Sequence, residues 1–248
     1  MASGSRRLRS ATLVRSAALL LRRTPIREAD LVLELLSSAL GRVSVVARGA
    51  RKSQRRFGGA LEPVHELMVE MEERGEGLGV LVAAEIARPR FGVIEQLGAL
   101  TAAGRALAWV REVAPPRVPE DAIWSACQEL LDALDRGVAG TALEREAATQ
   151  VALASFGMQL IEALGWGLTL DECVACRRPC PEGQAAFVSA RRGGAVCRAC
   201  GGAGLVIGGA TRARLLGLSA GGALAAEDAE PAIALVEETL RVHAGLSG

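Results

Sequence analysis

The sequence has few of the residues that enzymes most often use for chemistry. Its only two histidines, His65 and His243, lie far apart, and neither adjoins a cysteine or serine in a nucleophile motif. A zinc deaminase would need a His-x-Glu before its cysteine pair, and a zincin protease would need a His-Glu-x-x-His helix. Both motifs are absent from the sequence. We therefore predict that the protein is not an enzyme.

Long apolar runs are also missing. No run approaches 18 residues, so no membrane-spanning helix is expected and no membrane partner is predicted. The first 27 residues contain arginine and serine but no acid, as transit peptides do. The apolar stretch from Ala17 to Leu21 is too short for a secretory signal. We expect a short disordered start that leads into a first strand.

Aromatic residues make up only 3% of the chain, and tyrosine is absent. The first 60 residues contain Phe57 and neither tryptophan nor tyrosine. Those residues nevertheless hold 13 basic side chains against three acidic ones, although the whole chain carries a formal charge of only +1. A charge split of this size indicates one module that faces a polyanion and another that faces something different.

Cysteine is scarce but patterned. Two Cys-x-x-Cys pairs, Cys173–Cys176 and Cys197–Cys200, are separated by the 20 residues from 177 to 196. Four thiolates at this spacing fill the tetrahedral coordination of zinc and leave no position for water, so they predict one structural Zn²⁺ per chain. Two disulfides or four inert thiols are the alternatives, and Cys180 is a fifth possible ligand. Iron also accepts four thiolates.

The cysteines also bear on location and local structure. Paired spacing in a chain of this length favours a metal in a reducing compartment, which predicts a cytoplasmic protein. The segment between the pairs resembles a hairpin, with Phe187-Val188 and Ala195-Val196 on either side of a turn at residues 190–194. Cys127 stands alone on an apolar helical stripe and is expected to be a small core residue.

The first third of the chain has the pattern of a β-structure. Five short apolar or β-branched runs occupy residues 11–21, 31–36, 42–47, 64–71 and 78–86. Turn residues separate them at Thr24-Pro25, Leu40-Gly41, Gly58-Gly59 and Gly75-Glu76-Gly77. Five short strands suit a small closed barrel, because every strand then has a partner on both sides. An open meander is the alternative.

After Pro89 the pattern becomes helical. Apolar residues from Ile123 to Leu134 follow a 3.6-residue period, and a second stripe runs from Leu143 to Ile161 through Ala147, Val151, Ala154 and Met158. Thr141 and Glu144 have the spacing of a capping box. Further helices are expected over residues 95–113, 211–218 and 231–244. The fold class is therefore α+β, with the cysteine module, about 170–203, inserted into a helical domain.

One loop carries most of the unbalanced charge. Five cations, Arg48, Arg51, Lys52, Arg55 and Arg56, occur within nine residues between two predicted strands. So many like charges repel one another unless an anion neutralises them, and phosphates along a nucleic-acid backbone do this with release of counterions. A merely solvated loop is the alternative. With few aromatics available, any base stacking would depend on Phe57 and arginine planes, which favours sequence-tolerant binding.

The order of these features resembles the RecO family of bacterial recombination mediators. The similarity starts at Glu28-Ala-Asp30-Leu-Val-Leu and continues through Leu40-Gly41-Arg42-Val43. It extends over Val46-Ala47-Arg48-Gly49-Ala50-Arg51-Lys52 to the glutamate-containing strand near Ala84-Glu85. The four paired cysteines match the zinc-bearing members of that family.

The resemblance implies a fold, an activity and partners. Residues 1–89 would form an OB-fold DNA-binding domain, and residues 90–248 a helical domain that carries the zinc module. The family binds single- and double-stranded DNA, anneals complementary strands, and works with RecR to load RecA onto gaps covered by single-stranded DNA-binding protein. It also docks the acidic, apolar C-terminal tail of that protein. The residues expected to contact DNA are Arg42, Arg48, Arg51, Lys52, Arg55, Arg56 and Phe57.

Two other classes of function are compatible with the same pattern. A different OB-plus-zinc protein could act on structured RNA, and a preference for folded RNA over single-stranded DNA would distinguish it. A nuclease or hydrolase with a structural zinc would need clustered carboxylates or an activated nucleophile, and no such motif stands out in the sequence.

Overall fold

The computed structural model describes residues 12–26, 28–57, 60–73 and 77–245, with only the backbone of residues 54 and 55. The expected disordered start, including Ala11 of the first predicted strand, lies outside these residues, as do Gly58-Gly59 and Gly75-Glu76 of two predicted turns. The chain divides into two compact units. The first contains Met1–Arg90 and Ala114–Asp121, and the second contains Phe91–Val113 and Ala122–Gly248. The domain boundary expected after residue 89 stays a prediction.

The first unit is a five-stranded β-barrel. Its elements are β1 (Thr12–Pro25), β2 (Leu31–Ser37), β3 (Gly41–Ala47), the short helix α1 (Gln54–Phe57), β4 (Glu66–Glu73) and β5 (Gly79–Arg88). The strands follow the order β1-β2-β3-β5-β4, and β1 also pairs with β4. All pairs are antiparallel except β3 with β5. The sheet is therefore closed, which confirms the predicted barrel and excludes the open meander.

Alternating side chains build the core of the barrel. In β2 the residues Leu31, Leu33 and Leu35 point inward, and in the paired register Leu33 lies opposite Val45 of β3. This period of two is what a half-buried strand requires. The predicted turn at Thr24-Pro25 is wrong: β1 continues to Pro25, which pairs with Leu31. Proline is tolerated there because the described pairing of β1 with β4 covers only Thr12–Leu19, so the end of β1 is an edge that pairs with β2 alone.

The second unit contains six α-helices within the described residues. They are α2 (Phe91–Glu95), α3 (Leu97–Val113), α4 (Asp121–Arg136), α5 (Ala142–Ala163), α6 (Gly209–Gly217) and α7 (Ala229–Ala244). The capping box at the start of α5 is confirmed, because the Glu144 N–H donates to the Thr141 hydroxyl and the Thr141 N–H donates to the Glu144 carboxylate. No helix in the described part of the chain is long and apolar enough to cross a membrane.

The helical core depends on close packing of α3, α5 and α7. The rings of Trp109 and Phe156 lie parallel with their centroids 6.4 Å apart. A Cβ on Gly157 would come within 2.9 Å of both methyl groups of Val236, so this glycine lets α5 and α7 approach closely. Cys127 is buried in α4 as expected.

The predicted apolar stripe of α5 is wrong in its first half. Leu143 is 80% exposed, whereas Ala154 and Ile161 of the same stripe are buried. The buried residues of α5 cluster toward its C-terminal half, where Phe156 and Leu160 also point inward. Periodicity identified the helix but not the point at which the rest of the unit stops covering it.

The cysteine module contains a three-stranded sheet. Its strands are β6 (Ala186–Ser189), β7 (Gly194–Ala195) and β8 (Leu205–Ile207), in the order β7-β6-β8. Val188 pairs with Ala195, so the predicted hairpin is confirmed. The third strand was not predicted, because an apolar run of only three residues between glycines is too short to indicate a strand. We call residues 170–207, which hold this sheet and the four paired cysteines, the ribbon.

Candidate nucleic-acid interface and metal centre

The basic loop follows β3 and is held in shape by backbone hydrogen bonds. Gly49 has a φ of 66°, a left-handed conformation that glycine adopts without strain. Its N–H donates to the Asp30 carboxylate at 2.8 Å, and the Arg51 N–H donates to the Ala29 carbonyl at 3.2 Å. The loop is thus fastened at two points to the turn between β1 and β2. We call residues 48–57 the basic loop.

Four cations project from this loop into solvent. Arg48, Arg51, Lys52 and Arg56 are all exposed, and none of them forms an ion pair with any residue that the structure describes. Arg56 donates to the Arg48 carbonyl at 2.6 Å and Arg51 to the Glu28 carbonyl at 3.2 Å, so two guanidinium groups also brace the loop. Positive charge that no carboxylate neutralises favours the approach of a polyanion.

Phe57 does not belong to the interface. Its ring is only 2% exposed and packs in the core of the barrel, so it is not available to stack on a base. The expectation that Phe57 contacts DNA is corrected accordingly. The Arg56 guanidinium lies 5.0 Å from the centroid of this ring. A buried aromatic side chain here anchors the end of the basic loop to the barrel.

Arg42 has a different role from the loop cations. Its Nε donates to the Ala114 carbonyl at 2.8 Å, and its own carbonyl accepts from the Arg117 N–H at 3.0 Å. One terminal nitrogen lies 4.0 Å from the Glu34 carboxylate. These contacts fasten residues 114–117 to β3, and the DNA contact expected of Arg42 stays a prediction.

Parts of the predicted interface lie outside the described residues. They are the side chain of Arg55 and the glycines Gly58 and Gly59, which follow α1. The DNA contact expected of Arg55 stays a prediction.

The four paired cysteines converge on one point. The sulfur atoms of Cys173, Cys176, Cys197 and Cys200 all lie within 4.8 Å of one another. The sulfurs of Cys176 and Cys197 are 3.8 Å apart, which is far longer than a disulfide bond. With metal–sulfur bonds of about 2.3 Å, a tetrahedral site would separate its sulfurs by about this distance. The cluster therefore has the geometry of a four-thiolate metal site.

The backbone around each pair forms a tight turn that ends in a residue of left-handed conformation. Arg177, directly after the first pair, has a φ of 62°, and Gly201, directly after the second, has a φ of 98°. The Arg177 N–H donates to the Cys173 carbonyl at 2.8 Å, and the Gly202 N–H donates to the Cys197 carbonyl at 3.1 Å. Both turns bring the two sulfurs of a pair to the same side. This conformation is strained for the arginine, because its Cβ crowds the backbone, and unstrained for the glycine.

Hydrogen bonds prepare the cluster for a cation. The Cys197 N–H donates to the Cys173 sulfur at 3.3 Å, and this bond, with N–H groups of Cys176 and Ala175, lowers the pKa of Cys173 to about 6. Hydrogen bonds with Cys197 and Cys176 instead raise the pKa of Cys200 to about 12. Four thiols this close cannot all lose their protons unless a cation compensates, so metal binding would be coupled to proton release.

Two family models match the chain over nearly its whole length. The model described as Recombination protein O N terminal matches residues 11–90, and the one described as Recombination protein O C terminal matches residues 94–246. The chain belongs to the RecO family. This confirms the resemblance drawn from the sequence of the barrel and the cysteine pairs.

Named relatives agree with the RecO assignment. The chain is 38% identical to a protein named DNA repair protein RecO from Anaeromyxobacter sp. strain K, over 88% of this chain and 83% of the relative. It is 34% identical to a protein of the same name from Geobacter sulfurreducens, over 76% of this chain and 73% of the relative. Membership of the RecO family supports a role in DNA repair and recombination.

The fifth cysteine of this RecO-family ribbon lies outside the metal cluster. Cys180 is half-buried, burial raises the pKa of its thiol, and its N–H donates to the Asp171 carbonyl at 2.7 Å. The metal cluster within the described residues contains the four paired cysteines and not Cys180. The sequence spacing alone had left this point open.

Sequence reasoning missed a buried arginine that supports the ribbon. Arg212, in α6, is only 3% exposed, and its guanidinium donates to the carbonyls of Leu170, Cys180, Pro181 and Gln184. The bond to Leu170 is 2.8 Å long. One side chain thus binds carbonyls from the start of the ribbon, at residue 170, and from residues 180–184. Its only sequence signal was a cation within an otherwise ordinary helix.

Proposed function

We propose that this RecO-family chain is a non-catalytic recombination mediator that binds single- and double-stranded DNA and anneals complementary single strands. The exposed basic loop carries this proposal, because its four described cations have no ion-pair partner among the described residues. Cations in a loop with few exposed aromatics contact phosphates and not base edges. Binding would therefore be tolerant of sequence, as annealing requires.

The proposed partners follow from family membership. With RecR, the chain would load RecA onto DNA covered by single-stranded DNA-binding protein, whose acidic, apolar tail it would dock through the helical unit. A groove of about 510 Å³ between α3, α5 and α7 of that unit suits this tail poorly. Glu146, Glu230 and Glu237 line it, and its one cation, Arg105, already pairs with Glu237 at 2.6 Å. The tail would use a less acidic surface.

We also propose one structural Zn²⁺ per chain, held by Cys173, Cys176, Cys197 and Cys200. Four sulfur ligands fill the coordination of zinc, and the metal would stabilise the ribbon without taking part in a reaction. Iron is the competing metal, since it also accepts four thiolates. A cluster of free thiols in metal-binding geometry suits a reducing compartment, which supports a cytoplasmic location.

The test of DNA binding is a salt titration on a variant in which Arg48, Arg51, Lys52 and Arg56 are all replaced by alanine. Each phosphate contact with a single strand contributes about 0.7 to the slope of log affinity against log salt. The four replacements should flatten that slope by about 2 to 3 and abolish annealing. An unchanged slope would show that the basic loop is only solvated.

A matched control distinguishes the effect of the basic loop on DNA affinity from the effect of net charge. Arg51→Ala/Lys52→Ala removes two cations that have no ion-pair partner among the described residues, whereas Arg15→Ala/Arg22→Ala removes two cations of the same unit that face carboxylates at 3.4 and 4.0 Å. Only the first pair should flatten the salt slope, by about 1.4. Equal effects would mean that charge alone matters. Tighter binding of folded RNA than of single-stranded DNA would contradict the proposed substrate.

A further inference from the structure

The ribbon is richer in arginine than the unit that carries it. Residues 170–207 contain five arginines against three acidic residues, whereas the chain after residue 60 is acidic as a whole. Arg177, Arg178, Arg191, Arg192 and Arg198 are all exposed. Arg177 pairs with Glu172 at 2.9 Å, whereas the other four have no ion-pair partner among the described residues and are available to a polyanionic ligand.

Two of these arginines flank a cleft on the ribbon surface. The cleft has a volume of about 210 Å³, with Arg178 and Arg198 in its lining together with Phe187 and two prolines, Pro179 and Pro181. No carboxylate contributes to this lining among the described residues. The cleft thus combines an apolar surface with two guanidinium groups. A nucleotide has the complementary groups, because the flat face of its base packs on an apolar surface and its phosphate is an anion.

The aromatic ring that the basic loop lacks is present here. Phe187 is only half-buried, in contrast to Phe57 of the barrel core. The Arg198 guanidinium lies 5.3 Å from the centroid of the Phe187 ring, so a cation and a ring stand together in the lining of the cleft. Aromatic rings and arginine planes are the groups on which unpaired bases stack.

We propose that the ribbon is a second contact surface for single-stranded nucleic acid, with the cleft between Arg178 and Arg198 holding one nucleotide against Phe187. This inference rests on the proposed function and extends it to a site in the other compact unit. A single strand is favoured over a duplex, because a base inside a duplex stack cannot enter a cleft. The other exposed arginines of the ribbon, Arg191 and Arg192, would serve phosphates further along the strand.

The experiment measures binding of a short oligothymidylate, and of a duplex of equal length, to the whole zinc-loaded chain of 248 residues. Phe187→Leu should weaken binding of the single strand about tenfold and leave duplex binding unchanged, because stacking on one base is lost. Arg178→Ala/Arg198→Ala should flatten the salt slope for the single strand by about 1.4. The control Arg136→Ala/Arg241→Ala makes the same charge change on exposed helical positions of the same unit and should leave the slope unchanged.

A second variant guards against loss of the ribbon fold. Phe187→Trp keeps an aromatic ring, so it should retain the affinity for the single strand, and its added fluorescence should be quenched by the oligonucleotide. Zinc content close to one per chain in each variant shows that the ribbon is intact. A Phe187→Trp variant that binds the strand without any change in fluorescence would overturn the inference.

The remaining outcomes separate this inference from the proposed function. Failure of the unaltered chain to bind the oligonucleotide would overturn both. Binding that the loop variant weakens but that Phe187→Leu and Arg178→Ala/Arg198→Ala leave unchanged would overturn the ribbon site alone. The Arg178→Ala/Arg198→Ala variant could instead fail to bind an acidic, apolar tail peptide while its affinity for the oligonucleotide stays intact. That result would show that the cleft binds a peptide, and it would also overturn the ribbon site.

Discussion

The basic loop of the barrel and the cleft of the ribbon use the same two residue types in opposite ways. Each places an arginine over a phenylalanine ring, at 5.0 Å for Arg56 and Phe57 and at 5.3 Å for Arg198 and Phe187. Phe57 is buried in a core, whereas Phe187 remains partly open to solvent. The first ring fixes the backbone that presents the charges, and the second keeps part of its surface in solvent. Burial, and not composition, separates an anchor from a contact surface.

The two regions also differ in what holds them together. The basic loop belongs to a closed barrel whose described residues include 16 buried ones in one core cluster. The ribbon has three strands of four residues or fewer, too few to bury a comparable core. It relies on the four-cysteine cluster and on the buried Arg212 guanidinium. A small module without a core of its own needs such a staple.

The largest effect should come from breaking the metal cluster. Cys176→Ser removes one of four ligands, and a structural zinc contributes about 10 kcal/mol or more to the folding of small metal modules. We expect loss of stoichiometric zinc and rapid proteolysis within residues 170–207, with the barrel still folded. Metal analysis and limited proteolysis measure this. Cys180→Ser is the matched control, and loss of zinc in that variant would contradict the assigned ligands.

The next effect sharpens the contrast between the two phenylalanines. Phe57→Ala should lower the free energy of unfolding of the barrel by about 3 to 5 kcal/mol, because it leaves a cavity in a filled core. Phe187→Ala should cost far less stability, since its ring is partly in solvent already. Denaturant unfolding of both variants tests this. Equal losses would mean that Phe187 is a core residue and not a contact surface.

A smaller effect should appear as a dependence of stability on pH in the helical unit and not in the barrel. The Arg214 guanidinium lowers the pKa of the buried Asp228 carboxyl to about 2. A carboxyl whose pKa is lowered by folding stabilises the native state above its ordinary pKa of about 4, and this contribution is lost as the pH falls from about 4 to about 2. Asp228→Asn should therefore lose about 2 kcal/mol of stability at pH 7.

The measurement for Asp228 is the difference in denaturation midpoint between the two proteins as a function of pH. This difference should shrink through the same acid range, because the unaltered protein loses its ion pair there and the variant has none to lose. Barrel unfolding should be the same in both proteins. A difference that stays constant down to pH 2 would contradict the assigned ion pair.

The smallest effect concerns the exposed start of α5. Leu143→Ser should change the free energy of unfolding by less than about 0.5 kcal/mol, because the side chain is 80% exposed. Leu160→Ser in the same helix should be strongly destabilising, since that side chain is fully buried. Thermal unfolding compares the two. A large loss at Leu143 would show that a partner or a second copy covers this end of the helix.

Local signals in the sequence predicted where helices and strands occur better than they predicted which of their side chains are buried. The capping box of Thr141 and Glu144 and the hairpin around residues 190–194 depend on residues that are close in the chain, so the structure confirms both. The stripe of α5 failed at Leu143, because which part of a helix is covered depends on elements distant in sequence. The DNA contact expected of Phe57 failed for the same reason.

The sequence by itself determined the barrel strands, the helices, the metal-ligand spacing and the family, since alternation, periodicity and motif order are properties of neighbouring residues. Only the tertiary structure decided which arginines are free. Arg42 became a tether to Ala114, and Arg212 became a buried clamp on four carbonyls, while Arg178 and Arg198 were left open at a cleft. A guanidinium has the same charge wherever it lies in the chain, and only the groups that fold against it determine whether it supports the protein or remains available to a ligand.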